Sequence, residues 1–248
     1  MFKQIIFKVF VLFLVCNTQF LRSQNLVATY TENRRFEGKM PEEPDPKIRE
    51  LVKNAGTHTK ELLSSAGASI YQEKQIEMEE APEHRIIIRI GEDDRGSVYK
   101  NLSQKQMVKQ YEFFGRNFLI KEALKPISWK LENEKKTIGS YNCRKASANI
   151  DTMKVIAWYC PDIAINDGPD IFWGLPGLIL EVNVDGGKKT IVVNTVKITN
   201  EAVAVAIPDK GREVTQQEFT AIKKEKMDEM RKAHSNGSPD RVEIRVVH

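Results

Sequence analysis

The sequence predicts an α+β fold: a mainly antiparallel, curved β-sheet of half-barrel form, covered by one C-terminal helix. Three observations predict it. Apolar residues alternate over many short runs separated by Gly-, Asp- or Asn-bearing turns. One segment near the end, 215–233, carries helical periodicity instead. The chain has 248 residues, 41% of them hydrophobic, enough for one core without staples. A β-sandwich is the alternative packing of the same strands. Three cysteines exclude a disulfide-dense miniprotein, and the composition excludes a collagenous or wholly disordered chain.

In chain order, residues 25–31 read as a first strand. Residues 39–46 are rich in Pro and Glu and form a loop. Asp45 then caps a short helix over 47–54, with Pro46 at its first position. Runs at 61–63 and 68–71 suit an early hairpin, and Arg85-Ile86-Ile87-Ile88-Arg89-Ile90 suits a buried strand. Further strands are expected at 97–101, 107–113 and 116–120. Ile127, Trp129 and Leu131 alternate with Ser128 and Lys130. Long strands are expected at 137–148 and 154–160. Leu178, Leu180 and Val182 share a face, Asp185-Gly186-Gly187 turns the chain, and 190–198 returns with Val192, Val196 and Ile198 inward. In the 215–233 helix, Phe219, Ile222, Met230 and Ala233 fall on one side. Mixed charges on its other side favour a helix covering a sheet over a membrane helix. Residues 241–246 alternate as a last strand.

Residues 1–23 have the layout of a secretory signal peptide: Lys3 and Lys8, an apolar run, then polar residues. A retained anchor or a lipoprotein attached at Cys16 are the rival readings. Residues 24–248 are expected to form a single β-rich domain with no transmembrane segment. The formal charge is +4, but Lys3, Lys8 and Arg22 lie in the leader beside no acid. The mature chain is then about +1, which removes the argument for nucleic acid.

Removing the leader leaves Cys143 and Cys160. If Asp151-Thr152 is a two-residue turn, Cys143 faces Cys160 at a non-hydrogen-bonded pair, where side chains approach most closely. A disulfide is favoured there over two free thiols. It would close a loop of roughly 18 residues and contribute up to ~3 kcal/mol. Asp151-Thr152-Met153 resembles a short periplasmic O-glycosylation sequon; a plain turn is the other reading.

Gly174-Leu175-Pro176-Gly177-Leu178-Ile179 is the most distinctive run. Upstream lie Ile138-Gly139-Ser140-Tyr141-Asn142-Cys143-Arg144-Lys145-Ala146, Ala157-Trp158-Tyr159, Pro161-Asp162-Ile163 and Gly168-Pro169. These ordered blocks resemble the GLPGLI family, named for the hexapeptide. The resemblance implies an exported protein of Gram-negative bacteria, placed in the periplasm, on the outer membrane or outside the cell. It transfers no catalytic residue. Physically, Pro176 and Gly177 suit a type II turn, and Gly174 suits a close approach. Phe172, Trp173 and Leu175 then either lock the loop or form an exposed rim for an apolar ligand or an envelope protein.

No nucleophile elbow, zincin motif, P-loop or dinucleotide fingerprint is present. No cofactor is implied. Two cysteines and four scattered histidines do not make a metal site. Asp162, Asp167 and Asp170 lack calcium-loop spacing and read as a solvated loop. Glu181 should point outward from its strand. A non-enzymatic exported binding or structural protein is therefore the first functional expectation. The alternative is a hydrolase of an envelope polymer, using acids between Asp162 and Glu181.

Overall fold

The computed structural model describes residues 25–35, 46, 56–74, 85–88, 96–235 and 244–247. The expected signal peptide and the 47–54 helix lie outside the described residues. The strands are β1 (Asn25–Arg34), β2 (Thr57–Ser65), β3 (Ala68–Glu73), β4 (Arg85–Ile88), β5 (Gly96–Asn101), β6 (Gln106–Phe113) and β7 (Arg116–Ala123). They continue as β8 (Lys130–Ile138), β9 (Tyr141–Ile150), β10 (Met153–Cys160), β11 (Leu178–Val184), β12 (Lys189–Thr199), β13 (Arg212–Glu213) and β14 (Ile244–Val247). A long helix, α1 (Gln216–Ser235), precedes β14.

Twelve strands form one sheet in the order β13-β7-β6-β5-β3-β2-β1-β12-β11-β10-β9-β8. Among the described strand pairs, only β13–β7 is parallel. β4 and β14 pair antiparallel in a separate two-stranded sheet. The expected mainly antiparallel sheet with a covering helix is thus the fold.

Connectivity requires the curvature. Ten inter-strand steps separate β7 from β8, about 48 Å if the sheet were flat. Yet the chain passes from Ala123 to Lys130 in seven steps, a reach of about 25 Å at most. The two edges must therefore curl toward each other. β8 pairs with neither β7 nor β13, so the sheet stays open.

The concave side holds the core. Leu26, Ala28, Tyr30, Leu62 and Tyr71 pack against Ala146, Ala157, Tyr159, Leu180 and Val182 across the curve. At the β6–β7 end, α1 covers the sheet through Phe219, which stacks on Tyr111 at 5.0 Å and packs against Phe113 and Phe118. Thr215 and Glu218 cap α1 reciprocally: the Thr215 amide donates to Glu218 Oε2 at 2.7 Å, and the Glu218 amide donates to Thr215 Oγ1 at 3.1 Å. The Met230 and Ala233 side chains lie outside the described residues.

Three expected strands differ. Residues 137–148 are not one strand, because Gly139 at φ +58° begins a turn that splits β8 from β9. Residues 127–129 are not strand; they belong to the crossover, where Ile127 and Trp129 pack on the core. In β12 a bulge opposite Thr29/Tyr30 shifts the phase by one residue. Ile191, not Val192, is therefore fully buried, and Ile198 is 47% exposed at the strand end.

Candidate functional site

The β9–β10 hairpin has the expected register. Ile150 faces Met153 across an Asp151-Thr152 turn, with Asp151 at φ +52°. Arg144 opposite Tyr159 puts Cys143 next to Cys160. Both cysteines are buried, and both are free thiols in the structure. Burial, with the neighbouring Cys160, pushes the Cys143 thiol up to about 11.

From Cys160 the chain enters residues 161–177 and returns as β11. This segment fills the concave side of the sheet. Phe172 and Leu175 are 1% and 0% exposed, so the rim expected from them does not exist. Trp173 is half-buried against Val98, Met107 and Leu124. Its indole donates to Lys125 O at 3.2 Å, and the Trp129 indole donates to Trp173 O at 2.8 Å. The crossover and the signature segment therefore hold each other.

The hexapeptide works by close approach, though not as expected. Gly177 has φ +142°, and its amide donates to Leu175 O at 2.8 Å, closing a three-residue turn in place of a type II turn. A Cβ on Gly177 would lie 2.1 Å from Cys160 O. Gly174 needs its φ of +89°, not proximity, since nothing lies within 4 Å of its Cβ position. Gly168 instead makes the other tight contact, because a Cβ there would stand 2.7 Å from Ile179 Cβ. The Leu178 and Ile179 amides donate to Ile163 O and Asp167 O at 3.1 and 3.0 Å. Tyr30 donates its hydroxyl to Ile179 O at 2.9 Å.

Two aspartates of the segment are clamped from the sheet, which corrects the solvated-loop expectation. Lys100 of β5 is fully buried, and its ammonium donates to Asp167 Oδ1 at 2.7 Å, Gly168 O at 2.5 Å and Phe172 O at 3.3 Å. Three donors meet three acceptors. Asp167 Oδ1 also accepts from the Gly168 amide at 2.8 Å. Lys189 of β12 contacts Asp170 Oδ2 at 2.7 Å and Glu32 Oε1 at 3.2 Å. Arg34 reaches Glu32 Oε1 at 2.9 Å, and Tyr71 donates to Glu32 Oε2 at 3.2 Å. Lys60 stands 5.5 Å over the Tyr71 ring and 3.6 Å from Glu73.

Burial alone would raise both carboxyls of this network. The Lys189 ammonium, with Lys60 and Arg34, outweighs it and holds Glu32 and Asp170 below the usual carboxylate range. Burial opposes the charge on Lys189 too, but Asp170 and Glu32 raise its ammonium pKa. Burial and the Asp167 charge push the Tyr30 hydroxyl well up. Glu32, Asp170 and Lys189 are thereby held as fixed, opposite charges.

Other expected groups do not join it. Glu181 is on the opposite face, paired with Lys136 at 2.6 Å, and Lys136 lies 4.4 Å over the Trp158 ring. Asp162 is exposed. Among the described residues no cluster could hold a metal ion. Sequence reading missed Lys100, Glu32 and Lys189. The phase of β5 carried a signal, since Lys100 is two residues from buried Val98 and shares its face.

A protein-family profile described as "Protein of unknown function (Porph_ging)" matches residues 148–181. No curated protein matches the chain. Among solved structures, PNGF-II in its P21 and C2 space groups is similar in fold, each at 16% identity and a TM-score of 0.50. Each match covers 80% of this chain and 32% of that one, so this chain spans about a third of PNGF-II. The segment that fills the sheet is thus similar to a family of unknown function, and the β-rich architecture is similar to part of PNGF-II.

Proposed function

We propose that the chain is exported to the envelope of a Gram-negative bacterium and acts there as a non-enzymatic binding protein. One observation carries the non-enzymatic part: Glu32, Asp167, Asp170 and Glu181 are each committed to a lysine. Glycoside-type hydrolysis needs one carboxyl that stays protonated near neutrality. Asp170 and Glu32 are both held ionised instead. Asp167 is fully buried against Lys100, and Glu181 lies on the other face. The concave side is occupied by Phe172, Leu175 and Ile179, so the reading is a surface for a partner rather than a pocket for an apolar ligand.

Export rests on the layout of residues 1–23 and on the GLPGLI resemblance. The profile match at 148–181 spans that hexapeptide and is to a family of unknown function. An oxidising compartment would join Cys143 and Cys160, and the hairpin register supports that bond. The test is expression in a Gram-negative host with a leader-deleted control. Recovery from the envelope fraction, shortened at its N-terminus and with Cys143 and Cys160 peptides linked in a non-reduced digest, is the expected result. Retention of the intact chain in the cytoplasm, with both thiols free, contradicts it.

A further inference from the structure

We propose that the convex face of β8–β11 binds an acidic saccharide; this rests on the non-enzymatic binding reading and names its ligand class. Strand register aligns Lys130, Ser147, Ile156 and Asn183 as one row across four strands. Asn149 and Lys154 face each other two residues nearer the hairpin tip, on the same face. With Ser128 of the crossover, these two rows line an open groove of about 460 Å³. That lies within the about 300–1,000 Å³ of small-ligand sites.

The lining selects the chemistry. Lys130 and Lys154 are exposed, and among the described residues neither ammonium has an ion pair. The nearest carboxylates already hold partners of their own, and Glu132 also feels the Lys130 charge at longer range. Glu132 takes the Ser147 hydroxyl at 2.6 Å and Lys145 at 3.1 Å. Asp185 accepts the Lys154 backbone amide at 2.8 Å. The groove therefore offers positive charge at two points. Between them, the Asn149 and Asn183 amides can both donate and accept, as hydroxyl groups require. Ile156, 38% exposed, supplies an apolar floor for the C–H face of a sugar ring. No aromatic lines the groove for base stacking, which disfavours single-stranded nucleic acid. A carboxylated or phosphorylated sugar matches all three features.

Titration of the isotope-labelled protein with oligogalacturonate, followed by amide chemical shifts, tests this. Glucose 6-phosphate, inorganic phosphate and a neutral glucan oligomer serve as parallel arms. The expected result is saturable shifts centred on Ser147, Asn149, Lys154, Ile156 and Asn183 with a sugar acid or sugar phosphate. The K130A/K154A variant should keep its melting temperature and lose about tenfold in affinity. Which charged sugar binds more tightly decides between a carboxylate and a phosphate. No shift at about 10 mM of either charged sugar overturns the proposal. So does equal binding by K130A/K154A, by the neutral oligomer or by inorganic phosphate alone. New reducing ends in the oligogalacturonate arm would overturn the non-enzymatic reading while leaving the groove assigned.

Discussion

The two faces of the sheet treat lysine in opposite ways. On the concave face, buried Lys100 and part-buried Lys189 spend their charge on Asp167, Asp170 and Glu32. On the convex face, Lys130 and Lys154 stand in water without an ion pair among the described residues. A buried charge must be paired and hydrogen-bonded, so it becomes part of the structure. An exposed one contributes little to stability and stays free to meet a ligand. The same residue type thus marks the lock of the fold on one side and a candidate contact surface on the other.

The largest expected effect breaks the concave side of that contrast. D167A leaves the Lys100 ammonium buried without its counter-charge and should cost about 3–5 kcal/mol. The double variant K100M/D167L removes both charges and should recover most of that loss. Urea unfolding of the three proteins checks it. If the double variant is no more stable than D167A, the salt bridge is not the source of the loss.

Gly177 comes next. A methyl group there would sit against Cys160 O at a φ of +142°, so G177A should destabilise by about 2–3 kcal/mol. G174A, where space is open, carries only the cost of its φ of +89° and should cost less. Melting temperatures of the two variants give the order directly.

Acid should separate the faces as well. Glu32 and Asp170 have lowered folded-state values, so their stabilisation is present above the ordinary carboxylate pKa. It is lost as pH falls from about 4.5 toward 2. Lys189 is raised, so its share is lost only as pH climbs beyond about 10.5. Unfolding free energies measured across pH should fall at both ends. In K130A/K154A, the smallest expected effect, they should stay within about 0.5 kcal/mol of the parent.

The difference between the faces also explains what could be read from sequence. Cys143 opposite Cys160 was legible because a two-residue turn and a period of two fix every later pair. The fold class was legible for the same reason: alternation is local. The lock was not. Asp167 meets a lysine 67 positions upstream, brought there by four intervening strand pairings and a curl that no local pattern encodes. Phe172 beside Trp173 looks like an exposed rim until the crossover, with Trp129, is known to close over it. The Gly139 turn was missed because Gly inside a strand-like run also fits a bulge. The phase of Lys100 with Val98 was available, but a lone inward lysine has meaning only once its partner is known.

The central claim is that residues 161–177 are an integral part of the core and not a loop that opens to bind or react. Native-state hydrogen exchange at the amides of Gly174, Leu178 and Ile179 tests it most directly, because these donate to Asn166 O, Ile163 O and Asp167 O. They should open only with the free energy of global unfolding, matching the central β1 amides. Exchange through a lower-energy local opening, while β1 stays protected, would contradict the claim.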